Sequence, residues 1–472
     1  MSTKVVKSIR EAIALTGLRD GMTVSFHHHL RNGDYVLNMV MEQIADLGIR
    51  DLTVNASSLF DAHQPLADHI RNHVVTGVLT DYMAAGLGRE ISRGLLERPV
   101  EFRTHGGRPS DIASGRTPVD VAFIAAPSAD PMGNCSGKYG KSACGSLGYA
   151  AADAMYAKKV VVITDGLVPY PLLDWSIPEI YVDYVVEVEA IGNPAGIVSG
   201  TTRITRDPVG LVMASYAARV IEHSGLLEEG FSFQTGAGGA SLAAASFLKD
   251  IMLSKGVKGS FGLGGITGYM VDMLRAGCFQ SLLDVQCFDL QAVESLRTDP
   301  RHQEISALHY ASPTMRSAVV DSLDVVILGA TEIDTDFNVN VHTDSNGYIM
   351  GGSGGHSDTA AGAKLAMIIA PLFRARLPIV TDHVTCVSTP GRDIDVLVTQ
   401  GGIAGNPKNG ELRQRLLDAG LPIVEIQELK ARAEGITGAP KRLPRGGREV
   451  ARVLCRDGGQ LDSIYHTPEE AE

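Results

Sequence analysis

The sequence predicts an α/β protein made of two tandem copies of one open, parallel-sheet domain. The first observation behind this is a repeat. Val119-Asp120-Val121-Ala122-Phe123-Ile124, then Asp130-Pro131-Met132-Gly133-Asn134, returns as Leu323-Asp324-Val325-Val326-Ile327-Leu328, then Asp334-Thr335-Asp336-Phe337-Asn338, with the same internal spacing. Residues 21–26 pair with 230–235, and 162–165 with 380–382, at nearly the same offset. The second is that near-continuous apolar runs alternate with helix-period segments, as in a parallel sheet covered on both faces. The third is length: 472 residues exceed what a single core supports. A binding site is expected at the seam between the copies, where concave surfaces occur most often.

Taken in order, residues 1–13 carry three lysines or arginines and no continuous apolar core, so they read as an amphipathic helix and not a signal peptide. Strands are expected at 23–26, 52–54, 119–125 and 160–164, with helices at 36–47 and 147–158. A helical stretch at 209–221, ended by Gly225, carries the first copy (1–225) into the second (226–436). There a helix at 242–252 and strands at 325–328, 379–381, 396–399 and 423–426 follow. After Ile436 the composition turns to Gly, Pro and Arg, so 437–472 is expected to be a C-terminal arm or poorly ordered tail. Its basic cluster, Lys441, Arg442, Arg445, Arg448 and Arg452 against Glu449, suits either a solvated tail or a docking surface for an acidic partner.

Composition narrows the function. A net charge of −12 argues against nucleic acid or an anionic membrane as main partner. The longest apolar stretch, 365–373, is far short of the roughly 20 residues that span a bilayer. Cys135, Cys144, Cys278, Cys287, Cys386 and Cys455 form no CxxC pair or metal-ligand spacing and read as reduced thiols of a cytoplasmic protein.

Two glycine-rich loops each open a helix. Gly236-Ala237-Gly238-Gly239 follows the first strand of the second copy, and Gly351-Gly352-Ser353-Gly354-Gly355-His356 precedes a helix starting near Asp358. Glycine lets backbone approach an anion, and a helix N-terminus aims N–H groups at it. The alternative is a pair of tight turns. Glu332, Asp334 and Asp336 follow a strand end, where parallel sheets place functional groups, or form a solvated acidic turn. Asp130 and Asn134 are expected to bond turn backbone.

These residues resemble the CoA-transferases, and more closely the citrate lyase alpha subunit family. Asp20-Gly21-Met22-Thr23-Val24 with Gly48-Ile49-Arg50-Asp51-Leu52-Thr53-Val54 is similar to the opening of the family's first domain. Leu323-Asp324-Val325 with Gly352-Ser353-Gly354-Gly355-His356-Ser357-Asp358, a G-x-G-G-x-x-D loop, is similar to its second. The resemblance covers about residues 5 to 430 and implies two NagB/RpiA/CoA-transferase-like domains. Many CoA-transferases form a thioester on a glutamate; here Gln286 stands at that position, and an amide cannot serve. The first-domain loop is also altered, to His27-His28-His29-Leu30-Arg31-Asn32-Gly33.

The resemblance implies direct transfer: a citrate carboxylate attacks an acetyl thioester, a mixed anhydride forms, and the thiolate attacks the citryl carbonyl, releasing acetate. It implies CoA, or a CoA-like arm on an acyl-carrier (gamma) subunit, as substrate and not as a permanently bound cofactor, and a citryl lyase (beta) subunit as a second partner in an oligomeric complex. The chemistry needs proximity and oxyanion donors, each worth about 10²–10³ in rate. Gly354 and Gly355 are the candidate donors and Gln286 a positioning group; Glu332 is the candidate if a carboxylate nucleophile is used after all. His27, His29 and Arg31 are candidates for a partly cationic lip receiving citrate, with Gly236, Gly238, Gly239, Ser353 and His356 lining the site. Alternating side chains let only His27 and His29 share a ligand, and with no acidic or cysteine partner at metal spacing a metal is not expected. A covalent-glutamate acetate or succinate CoA-transferase, an acyl-CoA hydrolase, and a non-catalytic sensor or scaffold remain as alternatives, as does citramalate in place of citrate.

Overall fold

In the computed structural model, which describes residues 3–198, 203–440 and 447–467, the alternating pattern closes into two large sheets. The first has ten strands, in the order Val5–Val6, Tyr184–Glu187, Lys159–Thr164, Val121–Ala126, Thr23–Phe26, Leu52–Ala56, Val75–Thr80, Val100–Phe102, Glu449–Leu454 and Gln460–Tyr465. The second has eight, in the order His302–Glu304, Phe279–Cys287, Gly259–Ile266, Gly230–Thr235, Val325–Leu328, Leu365–Ile369, Val396–Thr399 and Gly402–Gly405. In each, only the last pair is antiparallel. Strands such as Val121–Ala126 and Leu365–Ile369 are buried at every residue, because helices cover both faces.

The repeat is structural. Thr23–Phe26 lies between Val121–Ala126 and Leu52–Ala56, as Gly230–Thr235 lies between Val325–Leu328 and Gly259–Ile266. Asp120 accepts a hydrogen bond from the Thr23 N–H at 2.8 Å, and Asp324 one from the Ser232 N–H at 2.8 Å. The turn that follows is built the same way twice. Asp130 Oδ1 accepts from the N–H groups of Met132, Gly133 and Asn134, and Asp334 Oδ1 from those of Asp336 and Asn338. Gly133 and Phe337, which correspond, both have positive φ, 101° and 66°.

Four expectations are corrected. Residues 380–382 do not correspond to 162–165: the strand beside Val325–Leu328 is Leu365–Ile369, and Val380–Thr381 belongs to a small three-stranded sheet. Residues 423–426 form no strand, since a helix begins at Ile426. Val5–Val6 adds a parallel edge strand, and the first helix, Ile9–Thr16, starts after it with Ser8 as N-cap. The arm beyond residue 436 returns to the first sheet as the hairpin Glu449–Leu454 and Gln460–Tyr465, burying Val450, Ala451, Val453 and Ile464. Of its basic cluster, Lys441, Arg442 and Arg445 lie outside the described residues; Arg448 donates to Leu96 O at 2.7 Å, and Arg452 pairs with Glu449.

The two halves meet backbone to backbone. A Cβ at Gly106 would strike the Ala311 carbonyl, one at Gly88 the Ile349 carbonyl, and one at Gly352 the Asp81 carbonyl. Gly148 O accepts from the Ala307 N–H at 2.9 Å, and half-buried Glu304 accepts from Leu147 N–H and the Ser176 hydroxyl across the same seam.

Candidate functional site

The G-x-G-G-x-x-D loop is held at this seam from both sides. Gly354 takes a left-handed φ of 51°, which suits glycine, and its N–H donates to Asp81 O at 3.1 Å while its carbonyl accepts from the His105 N–H at 2.9 Å. Asp358, which opens the short helix His356–Gly362, accepts from the Thr104 hydroxyl at 2.7 Å and the Gly106 N–H at 2.8 Å. Burial pushes its carboxyl up to about 6, against the lowering effect of these two donors. Beneath the loop, Ser353 N–H donates to His342 Nε2 at 3.3 Å, and the Asn340 carboxamide oxygen holds the His342 N–H. Glu332 in turn accepts from Asn340 Nδ2 at 3.0 Å and from the Thr385 N–H at 2.8 Å. Glu332 is thereby bonded into the support of the loop.

The Gly355 N–H makes no hydrogen bond among the described residues. A Cβ there would lie 2.5 Å from the Tyr310 hydroxyl, whose partner is the Gln234 side chain at 3.0 Å. Facing this loop is an aromatic wall of the first domain. The His28 ring lies 4.5 Å from Tyr149, 5.6 Å from His105 and 5.9 Å from Phe60. Gln286, at the end of Phe279–Cys287 and 1% exposed, reaches across the seam to donate to His28 O at 2.9 Å. Arg31 completes the wall: its guanidinium carbon sits 5.2 Å from the Phe60 ring and 4.9 Å from Phe288 of the other domain. No carboxylate pairs with Arg31 among the described residues. Burial lowers its pKa, yet arginine stays charged.

The histidine triplet sits just past the strand end at Phe26, and its residues divide differently from the expectation. His27 and His29 do share a face, with rings 6.1 Å apart, but that face is the core of the first domain. His27 Nε2 lies 3.1 Å from Asp153 Oδ2, whose carboxylate also takes Arg108 in a buried pair at 2.7 and 2.9 Å. Burial opposes ionisation of Asp153, and Arg108 and His27 together outweigh it, holding the carboxyl below its usual range. His29 bonds Ala125 O at 2.9 Å, and burial lowers it to about 4, so it is neutral. The cationic lip therefore reduces to Arg31, and His28, the residue between them, is the one turned to the seam.

His356 closes on its own domain, with Nδ1 at 2.8 Å from Thr389 Oγ1 and Nε2 at 2.8 Å from Gly329 O; burial lowers it to about 4. The loop of Gly236, Gly238 and Gly239 opens the 17-residue helix Gly239–Lys255. A Cβ at Gly236 or Gly238 would meet nothing closer than 3.5 Å, so packing alone does not demand glycine there. Sequence reasoning missed Asp81, His105, Tyr149, Tyr310 and Phe288. None stands in a motif, and all reach the site through contacts between segments far apart in the chain.

The matches to known proteins run nearly the length of the chain. The family model described as "Citrate lyase, alpha subunit" matches residues 2–467. The chain belongs to the citrate lyase alpha subunit family. The citrate lyase alpha chain of Klebsiella pneumoniae is 50% identical over 461 residues, covering 98% of this chain and 91% of that one. The Escherichia coli (strain K12) alpha chain is 49% identical over 466 residues, covering 99% and 91%. The alpha subunit of citrate lyase from Streptococcus mutans, solved in complex with citrate, superposes with a TM-score of 0.97 at 48% identity, covering 99% of this chain and 92% of that one. The family is the transferase component of a citrate lyase, an enzyme with further subunits. The fold extends beyond it: the malonate decarboxylase alpha subunit of Acinetobacter baumannii shares the architecture at 15% identity, with a TM-score of 0.69.

Proposed function

We propose that the seam transfers the thiol of an acetyl thioester to citrate, giving citryl thioester and acetate through a mixed anhydride. The observation that carries this reading is Arg31, a cation without a carboxylate partner among the described residues, placed at the seam between Phe60 of one domain and Phe288 of the other. A guanidinium suits a carboxylate of citrate, and ring faces on both sides strengthen it by excluding water. The oxyanion donor is Gly355; Gly354 has spent its N–H on Asp81 and serves by shaping the turn. Gln286 holds His28 and the seam, and no covalent enzyme thioester forms on it. The open backbone of Gly236 and Gly238 leaves room for the thioester's anionic carrier arm. That arm belongs to CoA or to the acyl-carrier subunit, and a lyase subunit consumes the citryl thioester.

The test is acyl exchange from acetyl-CoA to citrate, citramalate and succinate, followed by borohydride treatment of enzyme and acetyl-CoA. Citrate is expected as the best acceptor and activity is expected to survive borohydride. Inactivation by borohydride, or release of free CoA without acceptor, would sink the reading in favour of a covalent transferase or a hydrolase.

A further inference from the structure

We propose that His105 is a catalytic acid–base residue of this site, acting on the sulfur of the thioester; this rests on the thioester-transfer reading above. His105 follows the Val100–Phe102 strand, and its backbone N–H is tied to Gly354 O. Its Nδ1 lies 2.9 Å from Asp81 Oδ2, and Asp81 is 1% exposed. The other oxygen of that carboxylate, Oδ1, is buried and has no hydrogen-bond partner. The ring is held between Tyr149, tilted against it at 4.4 Å, and His28, stacked at 5.6 Å. Its Nε2 makes no hydrogen bond among the described residues and opens toward the glycine loop: a Cβ built on Gly354 would lie 3.1 Å from it. An aspartate on one imidazole nitrogen and a free second nitrogen beside an oxyanion donor form a proton-transfer dyad.

The reaction has a use for it. When the citrate carboxylate oxygen bonds to the acetyl carbon, the carbon–sulfur bond breaks and the electron pair goes to sulfur. A thiolate released among aromatic walls is poorly solvated. His105, protonated on both nitrogens beside the Asp81 carboxylate, gives its Nε2 proton to that sulfur and becomes neutral. In the second half the thiol attacks the citryl carbonyl of the anhydride and returns the proton to Nε2. The new carbon–sulfur bond forms, the carbon–oxygen bond to acetate breaks, and acetate leaves with the pair. No proton is gained or lost overall. The charged or titratable groups facing His105 are Asp81, His28, Tyr149 and Asp358, and Asp81 alone is bonded to it.

The experiment is steady-state exchange between acetyl-CoA and citrate with the full chain, His105→Gln, His105→Ala and Asp81→Asn, with unfolding temperature measured for each. Both His105 variants are expected to fold and to lose about 10²–10⁴ in kcat, with citrate KM changed little. Added imidazole is expected to restore part of the His105→Ala rate and none of the His105→Gln rate, since only the alanine leaves a cavity. Asp81→Asn is expected to lower kcat and to shift its pH profile, as the dyad loses its charge. Retained kcat, a loss confined to citrate KM, or a kcat loss that imidazole does not relieve would each overturn the role. A wild-type chain with no exchange at all would instead defeat the thioester-transfer reading itself, and this role with it.

Discussion

Arg31 occupies a left-handed backbone conformation, with φ 51°, that costs a non-glycine residue on the order of 1–3 kcal/mol. That conformation accompanies a guanidinium set between two rings, the position the proposed transfer needs for a cation facing the acceptor carboxylate. Arg31→Met is therefore expected to raise the citrate KM at least tenfold while the protein stays folded, and Arg31→Lys is not expected to restore it, because an ammonium lacks the planar fork. Citrate titration of the exchange rate checks both. Gly355→Val places a branched side chain against the Tyr310 hydroxyl, 2.5 Å from the Cβ position, and covers the free N–H. It is expected to lower kcat by about 10² or more at a stability cost of about 1–3 kcal/mol; normal turnover would remove the loop from the mechanism. Gln286→Glu would set a carboxylate oxygen 2.9 Å from the His28 carbonyl, two acceptors face to face. Lower stability by about 1–3 kcal/mol, and no borohydride-sensitive intermediate, is the expected outcome. At this scale the sequence singled out Arg31, Gln286 and the glycines because they depart from or complete a motif. It passed over Asp81 and His105, which stand in no motif and meet the loop only through the fold.

Among the elements, strands with β-branched, uninterrupted apolar runs were legible, and Thr23–Phe26 and Val325–Leu328 fall where periodicity puts them. Elements whose burial depends on remote partners were not. Val5–Val6 is too short to carry a period, and the C-terminal hairpin reads as a polar tail because its few buried apolar residues are interleaved with charged and polar ones. The hairpin covers the Val100–Phe102 strand, which leads directly into Thr104 and His105. It also binds the other half: Arg456 grips Asp321 at 2.7 and 3.1 Å, and Asp462 accepts from the Val387 N–H at 2.7 Å. Ending the chain at Pro440 is therefore expected to cost roughly 5 kcal/mol or more, from four buried apolar side chains, and to expose a sheet edge. Denaturant unfolding of the truncated chain measures this; an unchanged midpoint would make the hairpin dispensable.

Across the whole molecule, two sheets of the same build enclose buried titratable groups whose protonation is coupled to stability. Burial lowers His29 and His356 to about 4 and His342 to about 3, so the unfolded chain binds more protons as pH falls below about 6.5. Their contribution to stability is lost progressively between about 6.5 and 4. Asp358 acts in the opposite sense: raised to about 6, it favours the fold below about 4 and loses that contribution as pH rises to 6. Taken by themselves these three histidines outweigh Asp358 and predict a lower urea midpoint at pH 5 than at pH 7, and a higher one would contradict their burial as neutral groups. The chemistry at that seam is tested most directly by isotope transfer. In a single turnover, with enzyme in excess over unlabelled acetyl-CoA, citrate labelled by ¹⁸O in its carboxylates and unlabelled water, direct attack predicts acetate carrying one ¹⁸O atom, because the oxygen that bonds the acetyl carbon leaves with it. Acetate without label, its oxygen drawn from water or from an enzyme carboxylate, would contradict the account.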